Sequence, residues 1–347
     1  AFKNSRKLEE IKFSNQSNLK TIEKSAFSNC PIQQITIPAS VEHLGENVFD
    51  NCNQLESVNF HVDSKLTVIE NQTFYNSSIK YLYIPSKIEK LKEKWCAGTP
   101  NLINIIVDVY NTHFIYYDNA FILGRINLNY ENYEILYFAR RDVKVAEIPF
   151  YIKNIAPYAF ENCQKLRKLN FSQYSQLQII NNYAFNNSNI SEISIPSSVK
   201  KIGDGAFQKT DFLTKITFPM DSKLLTIGNN AFQYSNIERI ELPSSIIQIN
   251  EYAFDNCKYI KYVIFSNNSN LKTIERYAFA NSSLRSFSVP SSVIEIKEAS
   301  FQKCTQLCLF EINEQSQLCS FDINWFLFST SVSIFIPFNL SEMLTGS

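Results

Sequence analysis

Residues 193–207 read Ile-Ser-Ile-Pro-Ser-Ser-Val-Lys-Lys-Ile-Gly-Asp-Gly-Ala-Phe. Ile193 and Ile195 alternate with polar neighbours as on a half-buried strand, and Pro196, which has no N–H to give to a ladder, closes the strand and turns the chain. Outward from this stretch the final Phe recurs. Phe2, Phe27, Phe49, Phe74, Cys96, Phe160, Phe185, Phe207, Phe232, Phe254, Phe279, Phe301 and Phe326 are spaced 25, 22, 25, 22, 64, 25, 22, 25, 22, 25, 22 and 25. A short unit repeated in this way predicts one solenoid in place of the two or three globular domains that 347 residues would suggest.

The two spacings have two corner chemistries. Short coils end their strand on proline, at Pro38, Pro85, Pro149, Pro196, Pro243, Pro290 and Pro337. Long coils read like Leu166-x-x-Leu169-x-Phe171 and then make a polar turn, with Ser17, Ser64, Ser175, Ser222, Ser269 or Ser316 two places before the next Leu. A short hydroxyl bonds its own turn's backbone, which suits a corner three residues longer. About thirteen coils then stack their Ile-x-Ile strands into a parallel sheet on the concave side, roughly 4.8 Å apart. The remaining side has room for a short strand and one helical or 3₁₀ turn, with Phe stacked on Phe along the axis.

Composition excludes several classes. The chain is 45% hydrophobic and 14% aromatic, so it has a core to build. Its 33 basic and 33 acidic side chains cancel, which removes the electrostatic case for a nucleic-acid or membrane-surface partner. Seven glycines and no GxGxxG, GxxxxGK[ST] or GxSxG string argue against nucleotide enzymes and hydrolases. No Ser/His/Asp, Cys/His or HExxH arrangement appears, so no catalytic residue and no cofactor is expected. No long apolar run predicts membrane insertion by this fragment. Ala1 and Phe2 already fall inside a repeat, so any signal or anchor is expected outside it.

Ile-x-Ile-Pro-Ser-Ser-Val-x-x-Ile-Gly-x-x-Ala-Phe resembles the BspA-like, or Treponema-type, leucine-rich repeats, and 22 to 25 residues lies in the leucine-rich-repeat range. The resemblance implies a β-rich solenoid on the surface of a cell, an adhesin-like antigen that contacts host-cell or extracellular-matrix proteins. The scarce repeat glycines, Gly45, Gly203 and Gly228, depart from the family's usual pattern. Two other readings stay open: a structural rod without a dedicated ligand, and an intracellular interaction scaffold. The chain also finishes soon after Ile334-x-Ile336-Pro337, and an uncapped last strand predicts weak end-to-end self-association.

Three residues after every ladder position stands Ser, Thr or Cys, with Cys30, Cys52, Cys163, Cys257 and Cys304 among them. This reads as a small side chain bonded to turn backbone, so the eight cysteines form neither a disulfide framework nor a metal site. The preceding residue is often Asn, as at Asn29, Asn51, Asn162, Asn187 and Asn256, and is read as an amide satisfying the turn. Asn15, Asn71, Asn170, Asn189, Asn267 and Asn339 begin Asn-x-Ser/Thr triplets. His43, His61 and His113 have no partner at ligand spacing.

The 64-residue interval holds an insertion. Its boundaries, 108–146, separate repeat blocks 1–107 and 147–347, and it carries Phe114, Tyr116, Tyr117, Phe121, Tyr130, Tyr133, Tyr137 and Phe138. Turn signals at Asp118-Asn119 and around Asn127 to Asn132 predict a β-meander leaning on the solenoid. Beside it, Tyr81, Tyr83, Asn104 and Ile106 fall on the outward rows of the strands, where most coils place small or charged residues. Together with Tyr116 and Tyr117 of the insertion they are the candidate protein-binding residues; Tyr262 and Ile264 form a second, weaker patch. Trp95 and Trp325, in place of the usual Ala, are expected to fill space where a regular neighbouring coil is missing.

Overall fold

The computed structural model describes residues 1–14, 16–125, 127–129, 131–319, 323–329 and 332–336. Asn15, Tyr130, Pro337 and Asn339 lie outside them. The chain divides into two compact units, residues 1–143 with 155–165 and residues 144–154 with 166–347.

Each unit is a parallel β-solenoid. In the first, Gln34–Ile37, Ser57–Phe60, Tyr81–Ile84 and Asn104–Val107 pair in order, each one coil further along the chain. In the second, Val145–Ile148, Lys168–Phe171, Glu192–Ser194 and Lys215–Thr217 do the same, and two-residue strands from Ile179–Ile180 to Glu295–Ile296 form a second ladder. The alternation is visible in burial: Ile35 and Ile37 are buried, while Gln34 and Thr36 are exposed.

Both corners behave as their residues dictate. The N–H of Val41, Ile88, Ile152, Val199, Ile246 and Val293 reaches the carbonyl of the proline three residues earlier. In the long corners, the hydroxyls of Ser17, Ser64, Ser175, Ser222, Ser269 and Ser316 each accept from the N–H of the Leu two places on, at 3.2–3.3 Å. The ladder rings stack between coils, with centroids 5.3 Å apart for Phe207–Phe232 and 5.2 Å for Phe232–Phe254, nearly parallel.

Among the described residues the turn side carries one 3₁₀ helix, Ile323–Phe326, where a helical or 3₁₀ turn was expected in every coil. The reason is backbone handedness. Two residues after each of the thirteen ladder positions φ is positive, from Asn4 to Phe328, and two residues before it the same holds from Ser25 to Ala299. A right-handed helix cannot run through such positions, and Asn is the side chain that tolerates them best. This, more than the amide's hydrogen bonds, explains the Asn column. The small column works as expected: Ser77 Oγ, Thr99 Oγ1 and Thr210 Oγ1 bond the ladder carbonyl of their own coil at 2.6–2.9 Å. The thiols of Cys52, Cys257 and Cys304 reach that of the preceding coil at 3.1–3.2 Å.

The insertion is a three-stranded antiparallel meander, Phe114–Tyr117, Phe121–Gly124 and Ile135–Ala139, whose first turn has Asp118 and Asn119 at positive φ. It does not lean on the outside. Phe114, Phe121, Ile122, Leu136 and Phe138 are buried with the solenoid core. Its last strand serves as a rung: Ala156 N–H bonds Leu136 O and Ala139 N–H bonds Ala159 O, both at 2.9 Å. Trp95 stands in for the ladder ring of its coil, 6.4 Å from Phe74 and 5.8 Å from Phe138. Trp325 is likewise buried, against Phe310 and Phe326.

Side chains complete this irregular rung. Arg141, 2% exposed, gives Nη1 to Ala159 O at 2.9 Å and lies over the Phe138 ring at 4.3 Å. Gly98 N–H goes to the Glu161 carboxylate at 2.7 Å instead of to a neighbouring coil's backbone. Gly98 is required there: φ is 71°, and a Cβ would fall 2.0 Å from Asn76 Oδ1.

Candidate partner-binding surface

The outward rows of the four-residue strands are mostly hydrophilic. Glu10 and Lys12 pair at 2.9 Å and Arg239 and Glu241 at 2.6 Å, all solvent-exposed. Exposed ion pairs of this kind contribute little to stability, and they leave these stretches wet.

The first unit has a different surface at its Tyr81 and Asn104 strands. Register places Tyr81 beside Asn104 and Tyr83 beside Ile106. Tyr81 is 52% exposed and Ile106 63%, and the corner that follows adds Val109 at 89% and Tyr110 at 82%. Four large side chains, two aliphatic and two aromatic, are thus exposed on these two neighbouring coils.

Polar side chains fix the corner that holds the last two. Tyr83 is half-buried and donates its hydroxyl to Asp108, and the other oxygen of that carboxylate accepts Tyr110 N–H at 2.8 Å. Desolvation, and then the Asp108 carboxylate, push the Tyr83 phenol up to about 12, so it stays neutral. Asn111 takes the place of the corner serine and is buried; its amide donates to Pro85 O and Ile88 O at 2.8 and 2.9 Å, and its oxygen accepts from His113 and Phe114. Tyr81, Ile106, Val109 and Tyr110 are therefore carried on a braced frame.

Of the residues singled out in the sequence, Tyr81, Asn104 and Ile106 are exposed together. Tyr83 faces the same way, but its hydroxyl is committed to Asp108. In the insertion Tyr117 is 37% exposed, while Tyr116 is half-buried and desolvation raises its phenol. Ile264 in the second unit is half-buried beside an exposed Tyr262. Val109 and Tyr110 escaped the sequence reading because they fall within the insertion boundaries. The signal was there: residues 108–111 align with corners 61–64, 172–175 and 219–222, whose Val62, Tyr174 and Met220 also project into solvent.

No group of three His, Cys, Asp or Glu among the described residues is arranged to hold a metal ion. Burial raises the thiols of Cys52, Cys96 and Cys257 to about 12, which keeps them protonated and unreactive. No helix among the described residues is long and apolar enough to cross a membrane.

The profile of the BspA type Leucine rich repeat region matches in six copies over residues 1–120, 134–225 and 225–346. The chain belongs to this family. Among solved structures it is similar to a leucine-rich repeat protein from Eubacterium ventriosum, with a TM-score of 0.67, 21% identity and coverage of 88% of this chain and 82% of that one. The pneumococcal vaccine antigen PcpA matches with a TM-score of 0.57, 18% identity and coverage of 96% and 70%. A leucine-rich repeat protein from Bacteroides ovatus gives 0.52, 19%, 91% and 78%. At these identities the likeness is one of fold. No curated protein sequence matches the chain.

Proposed function

We propose that the chain is a protein-binding module of an adhesin-like surface antigen, and that it contacts host-cell or matrix proteins without catalysis. One observation carries this reading: Tyr81, Ile106, Val109 and Tyr110 are exposed together on a frame braced by Asp108 and Asn111. Rigid aromatic and aliphatic groups displayed in this way make binding hot spots, because little side-chain entropy is lost when a partner covers them. The extracellular setting is supported by the family and by the fold shared with a bacterial vaccine antigen.

The test is binding of the purified chain to immobilised matrix proteins and to intact cells. Tyr81→Ala with Ile106→Ala and Tyr110→Ala is expected to abolish saturable binding, while Arg239→Ala on the second unit leaves it intact. Point substitutions are the right tool. Deleting 108–146 would strip Phe114, Phe121 and Phe138 from the core and unfold the first unit. Unchanged binding by the folded triple variant, or no binding by either protein, would refute the reading.

A further inference from the structure

The Asn-x-Ser/Thr triplets are a motif that the binding surface leaves unused, and the fold treats them unequally. Asn71 gives its amide to Glu46 at 3.4 Å and Asn170 gives its own to Glu147 at 2.6 Å. Asn76 and Asn281, which also begin triplets, hold the left-handed position beside the Phe column, and Asn281 bonds Asp255 at 2.9 Å. Asn186 and Asn189 are half-buried.

Asn267 differs from all of these. It is the second residue of the long corner 266–269, it is exposed, as are Ser266 and Asn268, and its side chain makes no hydrogen bond among the described residues. The same place holds Val62, Val109 and Met220 in other corners, and all three are more than half exposed. The residue that completes the triplet is Ser269, whose hydroxyl already accepts Leu271 N–H to shape the corner. A long corner therefore becomes an acceptor triplet whenever Asn occupies its projecting place.

We propose that Asn267 carries an N-linked glycan. Its amide nitrogen attacks the anomeric carbon of a lipid-diphosphate-linked oligosaccharide. The new N–C bond replaces the C–O bond to the diphosphate, which leaves with the lipid, and the amide gives up one proton to a base on the transferase. The fold then closes with the sugar outside. At Asn71 and Asn170 a sugar would break an amide–carboxylate bond, and at Asn170 it would also stand on a paired strand. Asn267 lies two residues beyond strand Tyr262–Phe265, so its glycan would stand beside the second patch, at Tyr262 and Ile264. In the first unit the sequence has Asn in that place at Asn15 of corner 14–17, but corners 61–64 and 108–111, which flank the Tyr81 and Ile106 surface, have none and leave it bare.

The experiment is secretion of the full chain from a eukaryotic cell behind a cleavable leader, followed by amidase release of N-glycans in ¹⁸O-water and peptide mapping. Asn267 is expected to convert to labelled Asp in most molecules, with Asn71 and Asn170 almost unlabelled. Asn267→Gln should remove the mass shift and leave the melting temperature unchanged. An unoccupied Asn267 in folded, secreted protein, or equal labelling at Asn71 and Asn170, would overturn the proposal. Binding measured on bacterially produced, glycan-free chain reports on the partner surface separately, so the two readings fail independently.

Discussion

The coils from Phe185 to Phe301 and the rung between Trp95 and Phe160 solve the same problem in different currencies. In the regular coils the N–H of the ladder Phe meets the next coil's backbone, as when Phe207 N–H bonds Ala231 O at 2.7 Å, and identical rings stack. At the irregular rung Gly98 N–H turns to the buried Glu161 carboxylate, a buried Arg adds a second donor to Ala159 O, and a Trp supplies the ring. Repetition needs only small, tolerant residues; interruption needs specific ones. Specific residues are also those that a substitution cannot replace.

The largest test of this contrast is on the rings. Phe232→Ala is expected to cost about 3 to 5 kcal/mol, and Phe138→Ala about as much, because both leave a cavity in a close-packed axis. Denaturant melts showing Phe138→Ala to be nearly neutral would mean that the inserted rung is not core. Next comes Arg141→Met, which keeps the aliphatic stem over Phe138 but strips a charge-assisted bond from Ala159 O. A loss of about 1.5 to 3 kcal/mol is expected by the same measurement. No regular coil has an equivalent residue to lose.

At the corners the contrast is smaller. Ser222→Ala removes one hydroxyl acceptor and should cost about 1 kcal/mol. Asn111→Ser restores the repeat residue yet abandons Pro85 O and Ile88 O, so it should cost more than Ser222→Ala even though it makes the sequence more regular. The reverse order would show that Asn111 is merely tolerated. The last test disturbs no structure. At pH 8 a thiol reagent should modify exposed Cys308 and Cys319 quickly and spare the six buried cysteines until denaturant is added. Fast reaction of Cys96 or Cys163 would place the irregular rung in an open state.

Much of this was legible because a repeat states each rule many times. Six serines at one position reveal a corner, and six prolines among the described coils reveal the other. The turn side was harder. Asn29, Tyr183 and Lys209 share a handedness without sharing a side-chain chemistry, so their left-handed φ values are invisible to hydrophobic pattern, and a helical or 3₁₀ turn was the natural expectation. The insertion was legible as a meander from its alternation and its Asp118-Asn119 turn. Its burial was not, since Phe121 and Phe138 look the same whether they face a core or a partner. At the candidate surface, Tyr81 and Ile106 could be read from strand parity, whereas Val109 and Tyr110 required knowing that the regular corner runs on through Asn111, inside the stretch taken as the insertion.

The two kinds of corner also recognise each other. Ser40, Ser245 and Ser292 of proline corners bond carbonyls of the long corner before them, Leu19, Leu224 and Leu271, at 2.7–2.8 Å. Long corners in turn reach back to proline corners, as Lys223 N–H does to Ser197 O at 2.9 Å and Asn270 N–H to Ser244 O. A single coil added or lost would set like against like and forfeit these bonds, whereas a pair of coils restores every one. Phe185, Phe232, Phe279 and Phe326 mark such pairs at intervals of 47 residues. The structural period of this molecule is therefore the pair: removing two neighbouring coils keeps every corner against its complement, while removing one does not.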